Sequence, residues 1–247
     1  MSFEEGEVIV DKSKANNSTL LQKKVTVMMS LQNEMNKKVH PDWVAQNFEW
    51  YRAAWIECGE LMDHLGYKWW KKQIADVEQV KLEIVDIWHF AMSSYFTPEA
   101  VKELEFYKLC DKVSQEIEQA SSLLAANVNP ELSGSDWNQA QKKLIRQATE
   151  AVAKASLERK EVSVDAFWQL LVAAGLDLDS LYSSYIGKNV LNQFRQDKGY
   201  KQGQYQKTWH GREDNEHLAE LVNSLDADDD DFQKNVYKGL ETIYASL

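Results

Sequence analysis

The feature that most constrains the fold is an apolar spacing of three and four residues, which recurs in segment after segment. Only 10 Gly and 3 Pro occur in 247 residues, so helices meet few breakers. The apolar–polar alternation of a half-buried strand persists nowhere. The sequence therefore predicts an all-α fold, a multi-helix bundle. Its helices are predicted at about 20–36, 42–65, 76–95, 97–126, 136–156, 164–174 and 178–197, with one more after the acidic run 228–231.

Interruptions of this pattern divide the chain into four parts. Residues 1–17 are polar and aperiodic and are expected to form a flexible extension. The first helical core is predicted over 18–126, and the Pro-, Ser- and Gly-containing segment 127–136 is the best linker candidate. Residues 137–247 are predicted to form a second helical segment. Within it, the glycine-containing stretch 199–211 is expected to be a mobile loop.

Composition limits the partners and the compartment. A formal charge of −11 argues against a general nucleic-acid-binding protein, because phosphate backbones need a basic face. No apolar run approaches the length of a membrane span, and no secretory or organelle-targeting leader is evident. The two cysteines form no metal-ligand spacing. We therefore expect a reduced intracellular location, cytoplasmic or nuclear, with no membrane and no nucleic-acid partner.

Two pairs of acidic residues indicate a metal site. Glu57 and Glu60 are three residues apart on one predicted helix, and Glu83 and Asp86 are three apart on another. Residues at this spacing share a helical face, so each pair can aim two carboxylates at one point. Apolar neighbours surround both pairs, and burying a carboxylate there is costly unless a cation compensates. Four hard oxygen ligands favour Mg²⁺, with Mn²⁺ as an alternative.

Two other interpretations of the acidic pairs stay open at this point. They could be solvent-facing acids on amphipathic helices, which is the usual meaning of one such pair alone. They could also belong to a carboxylate-bridged di-iron site, but that site uses two Glu-x-x-His motifs. Here only Asp86 with His89 and Asp214 with His217 approach that spacing.

Several ordered blocks of the sequence resemble the dimeric all-α dUTPases, part of the all-α NTP pyrophosphatase superfamily. The family's acidic signature is ExxE followed by ExxD, as in the two pairs above. Five further blocks are similar to the family's other motifs. Residues 31–36 resemble its first polar motif, 66–71 its aromatic–basic segment and 85–90 its histidine-containing helix. Residues 188–201 resemble its phosphate- and sugar-binding motif, and 209–216 resemble the loop that follows it.

The resemblance implies a homodimer with two or three Mg²⁺ ions. It implies hydrolysis of dUTP to dUMP and pyrophosphate by attack at the β-phosphorus, and of dUDP to dUMP and phosphate. The four carboxylates would be catalytic metal ligands. Glu57 is our candidate general base, with Glu60 and Glu83 as alternatives. The implied nucleobase-binding residues are Gln32, Asn36, Trp69, Trp70, His89 and Asn192. The implied phosphate- and sugar-binding residues are Lys68, Lys71, Lys188, Asn189, Arg195, Tyr200 and Lys201.

Some of these residues also have plain structural interpretations. Of Trp69 and Trp70, we expect at least one to be part of the core. His89 on its mostly apolar face is as consistent with a satisfied core histidine as with a base contact. Lys188 and Arg195 fall on one helical face, which suits a phosphate clamp with a bidentate arginine.

Two alternative functions remain. The first is a dCTP- or MazG-like pyrophosphohydrolase, with the same metals and a different base pocket. The second is a catalytically idle helical interaction protein, which has no reason to bury four acids.

Overall fold

The all-α fold is confirmed. The computed structural model describes residues 12–125, 137–227 and 229–247, and the side chains of 18–122, 137–227 and 229–247. None of the described helices combines the length and apolar character that a membrane crossing needs. These helices are α1 (Lys12–Val39), α2 (Trp50–His64), α3 (Val77–Ser94), α4 (Pro98–Glu103), α5 (Phe106–Ala125), α6 (Gln139–Arg159), α7 (Val164–Ala173), α8 (Leu178–Asp197), α9 (Asp214–Ser224) and α10 (Phe232–Tyr244).

Local capping chemistry sets where several helices begin. Helix α4 begins after Thr97, because the Thr97 hydroxyl accepts from the Ala100 amide at 3.0 Å and Pro98 is the first helical residue. Ahead of α3, the Asp76 carboxylate accepts from the Gln79 amide at 3.2 Å. This cap fixes the start of the helix that carries Glu83 and Asp86.

Two predicted helices are shorter in the structure. The helix predicted over 42–65 is wrong at its start, because a 3₁₀ turn, Trp43–Gln46, ends at Asn47 in the left-handed region with φ 50°. Only then does α2 begin. The single helix predicted over 97–126 is also wrong, since the backbone turns extended at Leu104 between α4 and α5.

Helix α2 is buried on one side only. Ala54, Cys58 and Leu61 form its buried line, whereas Trp55 and Ile56 are 40 % and 48 % exposed. One face of α2 therefore packs inside the molecule, and the other carries apolar side chains towards solvent.

The buried residues form two hydrophobic cores. The larger one takes side chains from α1, α2, α3, α5, α6, α7 and the first half of α8. The smaller one joins the second half of α8 to α9, α10 and Trp209. Helix α8 thus belongs to both cores.

The predicted linker 127–136 lies outside the described residues, as do residues 1–11 of the predicted extension. Helix α1 begins at Lys12, within that predicted extension.

The segment predicted as a mobile loop, 199–211, contains ordered elements. It forms a 3₁₀ turn, Tyr200–Gln202, and leads into the antiparallel strands β1 (Thr208–Trp209) and β2 (Arg212–Glu213). Trp209 is fully buried, and its indole N–H donates to the Gln206 carbonyl at 2.7 Å. Strands of two residues are too short to give an alternation that the sequence could reveal.

Two helical glycines provide a matched test of the packing. A Cβ at Gly187 would overlap Val222 of α9, whereas one at Gly59 meets nothing within 4 Å. At Gly187, overpacking of about 1–3 kcal/mol opposes a gain in helix propensity of about 1 kcal/mol. We predict that Gly187→Ala lowers the free energy of unfolding and that Gly59→Ala raises it by up to about 1 kcal/mol. Urea unfolding measures both, and equal stabilisation by the two variants would contradict the close α8–α9 packing.

Candidate functional site

The two acidic pairs meet where α2 packs along α3. One carboxylate oxygen from each of Glu57, Glu60 and Glu83 lies within 4.8 Å of the other two. Glu83 is buried, Glu57 is half-buried and Glu60 is exposed, so the cluster opens outward along α2. Asp86, one turn further along α3, lines the same cavity. The structure thus brings the four predicted carboxylates together.

The electrostatics of this cluster favour a cation. Burial, and then the charge of Asp86, raise the pKa of Glu57 to about 9. The same two causes raise the pKa of Glu83 to about 7, against the opposing charge of Lys188. Without a positive ion, the cluster therefore holds protons to a higher pH than isolated carboxylates do. Carboxylate oxygens at this separation suit a hard divalent ion, which would compete with protons for them.

A cavity of about 560 Å³ adjoins the carboxylates. Its walls come from α2, α3, α8 and the segment that runs from the 3₁₀ turn Tyr200–Gln202 to the start of α9. Seven of the predicted site residues line it: Glu57, Glu60, Glu83, Asp86, Lys188, Arg195 and Tyr200. The sequence analysis missed seven more: His64, Asp76, Gln79, Lys207, Glu213, Asn215 and Glu216.

Lys188 connects the acidic cluster to the second half of the molecule. Its ammonium is buried, 2.8 Å from Asp86 Oδ2 and 3.1 Å from Asn215 Oδ1. A buried ammonium needs such partners, because an unpaired charge inside the protein is costly. An anion entering the cavity would meet this charge directly beside the carboxylates.

Arg195 has a partner that the sequence analysis did not foresee. Its Nε and Nη2 atoms donate to the two oxygens of Asp214, each at 2.8 Å, and Tyr205 donates to the same carboxylate at 2.7 Å. Burial opposes ionisation of Asp214, but the hydrogen bonds and charge of Arg195 outweigh it and hold the pKa of Asp214 below its ordinary value. The bidentate edge expected for phosphate is therefore taken by Asp214.

A separate buried network joins α1, α3 and α8. Gln32 Oε1 accepts from the Tyr185 hydroxyl and faces His89 Nδ1, both at 2.7 Å. Gln32 Nε2 donates to Asn36 Oδ1 at 3.0 Å, and Asn36 donates to the Ser93 hydroxyl at 2.9 Å. Because an amide oxygen only accepts, the ring proton of His89 sits on Nδ1. Burial lowers the pKa of His89 to about 4, so the ring is neutral.

One acceptor of this network has no partner. His89 Nε2, an acceptor in this tautomer, is buried and has no hydrogen-bond partner within the part of the chain that the structure describes. The same holds for the buried side-chain N–H group of Asn189 on α8. Unpaired buried polar atoms are costly and commonly mark a place for water or a ligand. Gln32, Asn36 and His89 are thus brought together, but neither they nor Asn189 line the 560 Å³ cavity.

The predicted aromatic–basic segment lies apart from this arrangement. Trp69 and Trp70 are 87 % and 59 % exposed and pack edge-to-face on each other. The expectation that one of them belongs to the core is therefore wrong. Lys68 pairs with Asp63, and Lys71 is exposed. None of these four predicted residues lines the cavity.

Two further predicted residues have local partners. Lys201 donates to the Val39 carbonyl at 3.1 Å and lies outside the cavity wall. Asn192, expected at the nucleobase, instead accepts from Arg195 Nη1 at 3.2 Å. The missed residues Tyr205, Asp214 and Asn215 belong to the segment after α8. Their contacts cross between helices, and helical spacing gives no signal for such contacts.

A comparison with protein families supplies the context for this site. A sequence model of the dUTPase family matches residues 24–200, which is well over half of the chain. No curated protein sequence matches the chain. The matched span contains every predicted site residue except Lys201. The resemblance found in the sequence is thus confirmed, and the chain belongs to the dUTPase family, hydrolases that act on nucleotides.

Proposed function

We propose that this chain is a dUTP diphosphatase that hydrolyses dUTP to dUMP and pyrophosphate, and dUDP to dUMP and phosphate, with Mg²⁺. One observation carries the proposal. The carboxylates of Glu57, Glu60 and Glu83 converge within 4.8 Å, and the buried ammonium of Lys188 lines the same cavity. Such a site offers cation ligands and a fixed positive charge side by side, which is what a charged phosphate chain needs.

The four carboxylates would hold two or three Mg²⁺ ions, or Mn²⁺. Their fit to a cation rests on oxygen-only ligands and on the raised pKa values of Glu57 and Glu83, which a positive ion would relieve. When bound, such ions supply neutralisation of phosphate charge and acidify water. Glu57, half-buried in the cluster with a raised pKa, is the proposed acceptor of the proton from the attacking water. Glu60 and Glu83 are the alternatives.

The remaining cavity residues would bind and orient the nucleotide. Lys188 can exchange its contact with Asp86 for a phosphate oxygen without leaving its buried position. Tyr200, half exposed at the cavity wall, is placed to pack on the sugar or phosphates. Arg195 adds a second fixed cation in the same wall.

For the nucleobase, we propose the buried network around Gln32 and Asn36. Among the described residues, the buried acceptor at His89 Nε2 has no partner, and it suits the ring N–H of uracil. Asn189, whose buried side-chain N–H group is also unpartnered there, keeps its proposed role towards the phosphates and sugar. Trp69 and Trp70 reach no part of the cavity in this arrangement. The proposal also includes a homodimer, for which the exposed Trp55 and Ile56 on α2 offer an apolar surface.

The substrate assignment is tested by product release from dUTP, dUDP, dCTP, dTTP and UTP, each with Mg²⁺ and with EDTA. We expect turnover of dUTP and dUDP with Mg²⁺, and its loss in EDTA, because the phosphate charge is then no longer neutralised. Strong dCTP turnover with little dUTP turnover would instead support the dCTP- or MazG-like alternative. No metal-dependent turnover of any nucleotide would support an idle interaction protein.

The role of Glu57 is tested by Glu57→Gln, which keeps the shape and removes the charge. We expect kcat for dUTP to fall at least about a hundredfold, the scale usual for a general base. Glu78→Gln is the matched control, because Glu78 is an exposed α3 carboxylate that pairs with Lys81 and lies outside the cavity wall. Near-normal turnover of Glu57→Gln would remove Glu57 from the mechanism.

The metal-free protein should lose stability as the pH rises. The pKa values of Glu57 and Glu83 lie above the ordinary 4.5 in the folded state, so their protonated forms favour folding below that value. That contribution is lost as the pH rises from 4.5 to the folded-state pKa, which is about 7 for Glu83 and about 9 for Glu57. In EDTA, the melting temperature should therefore fall over this range, and Mg²⁺ should raise it most at high pH. Glu57→Gln should weaken the dependence, whereas an unchanged profile would contradict the buried cluster.

A further inference from the structure

Asp214 is a buried carboxylate that contacts the cavity residue Arg195 and has no role in the proposed function. It is the first residue of α9, lies beyond the matched span 24–200, and its side chain is fully buried. It does not line the cavity. Its two oxygens accept hydrogen bonds from Arg195 Nε and Nη2 at 2.8 Å each, and one of them also accepts from the Tyr205 hydroxyl at 2.7 Å.

The donors of Arg195 can be counted, because a guanidinium has five N–H groups in a fixed plane. Two donate to Asp214. One on Nη1 donates to Asn192 at 3.2 Å, and the second on Nη2 donates to Asn215 at 3.3 Å. Among the described residues, this leaves one N–H on Nη1 without a partner. Arg195 lines the cavity, and its Nε and Nη2 edge is already bound to Asp214, so the Nη1 edge is the one that an incoming phosphate could use.

We propose that Asp214 is a positioning residue, which fixes the guanidinium of Arg195 so that its Nη1 edge addresses the phosphates of the nucleotide. This inference rests on the proposed function. An arginine side chain has many rotamers, and a cation fixed before binding loses less freedom when the phosphate arrives. Tyr205 steadies the carboxylate from the other side.

A merely structural ion pair between α8 and α9 would behave differently. It would change the stability of the fold, but it would not make the effect of Asp214 depend on Arg195 in kinetics. The distinguishing property is therefore coupling: Asp214 acts on the phosphates only through Arg195. Removing its charge should cost nothing further once the guanidinium is gone.

The experiment compares kcat/KM for dUTP in Asp214→Asn, Arg195→Ala and the double variant. We expect a loss of about tenfold or more in each single variant, the scale of one charge-assisted hydrogen bond, and no additional loss in the double variant. Millimolar guanidinium ion should partly restore Arg195→Ala, because Asp214 would hold the free ion in place. Urea, its neutral analogue, should not. Additive losses, or guanidinium rescue that persists in the double variant, would overturn the proposal.

Glu220→Gln is the control. It breaks the bidentate pair of Arg212 in β2 with Glu220, at 2.6 and 2.9 Å; Glu220 is on α9, as Asp214 is, but it is exposed and lies outside the cavity wall. Its kcat/KM should equal that of the wild type. If Asp214→Asn does not fold, guanidinium rescue of Arg195→Ala decides alone, and its absence overturns the proposal.

Failure of the proposed function gives a different result from failure of this inference. If the wild type does not hydrolyse dUTP, the function is wrong. The role of Asp214 is then decided by the affinity for inorganic pyrophosphate in the presence of Mg²⁺, which isothermal titration calorimetry measures. Affinity about tenfold or more weaker in Asp214→Asn than in the wild type supports positioning. Equal affinity overturns it.

Discussion

The ion pair of Lys188 with Asp86 is the interaction on which the site depends. It joins α3, which carries half of the acidic cluster, to α8, the helix that both hydrophobic cores share. Its 2.8 Å contact places a positive charge beside carboxylates that repel one another. That charge opposes the rise in the pKa of Glu83. The acidic and the cationic sides of the cavity wall therefore meet at this pair.

The candidate site combines a cluster of repelling carboxylates with a separate, neutral hydrogen-bond network. In the carboxylate cluster, burial and mutual repulsion raise the pKa values of Glu57 and Glu83, which a bound cation would lower. The network around Gln32 is almost fully satisfied, and its satisfaction dictates the tautomer of His89. The first arrangement suits a place where charge changes during a reaction, whereas the second suits a pocket that must present one fixed pattern of donors and acceptors.

Local features were predictable from the sequence. The three-residue spacing of Glu57 with Glu60, and of Glu83 with Asp86, is a property of any helix, and the Thr97 cap is a property of a few adjacent residues. The end of the 3₁₀ turn at Asn47, and the solvent exposure of Trp55, depend on packing that no local pattern encodes. The hold of Asp214 on Arg195 crosses from α9 to α8, so it could not be inferred from spacing on either helix.

The smaller core has a consequence for dissecting this protein into fragments. Phe194 and Leu191 of α8 are buried against residues that lie beyond position 200, among them Trp209 and Leu240. A fragment cut at the end of the matched span would keep both acidic pairs. It would also expose this apolar face of α8 and release Arg195 from its carboxylate. The minimal unit for recombinant work therefore extends through α10, whatever the boundary of sequence similarity.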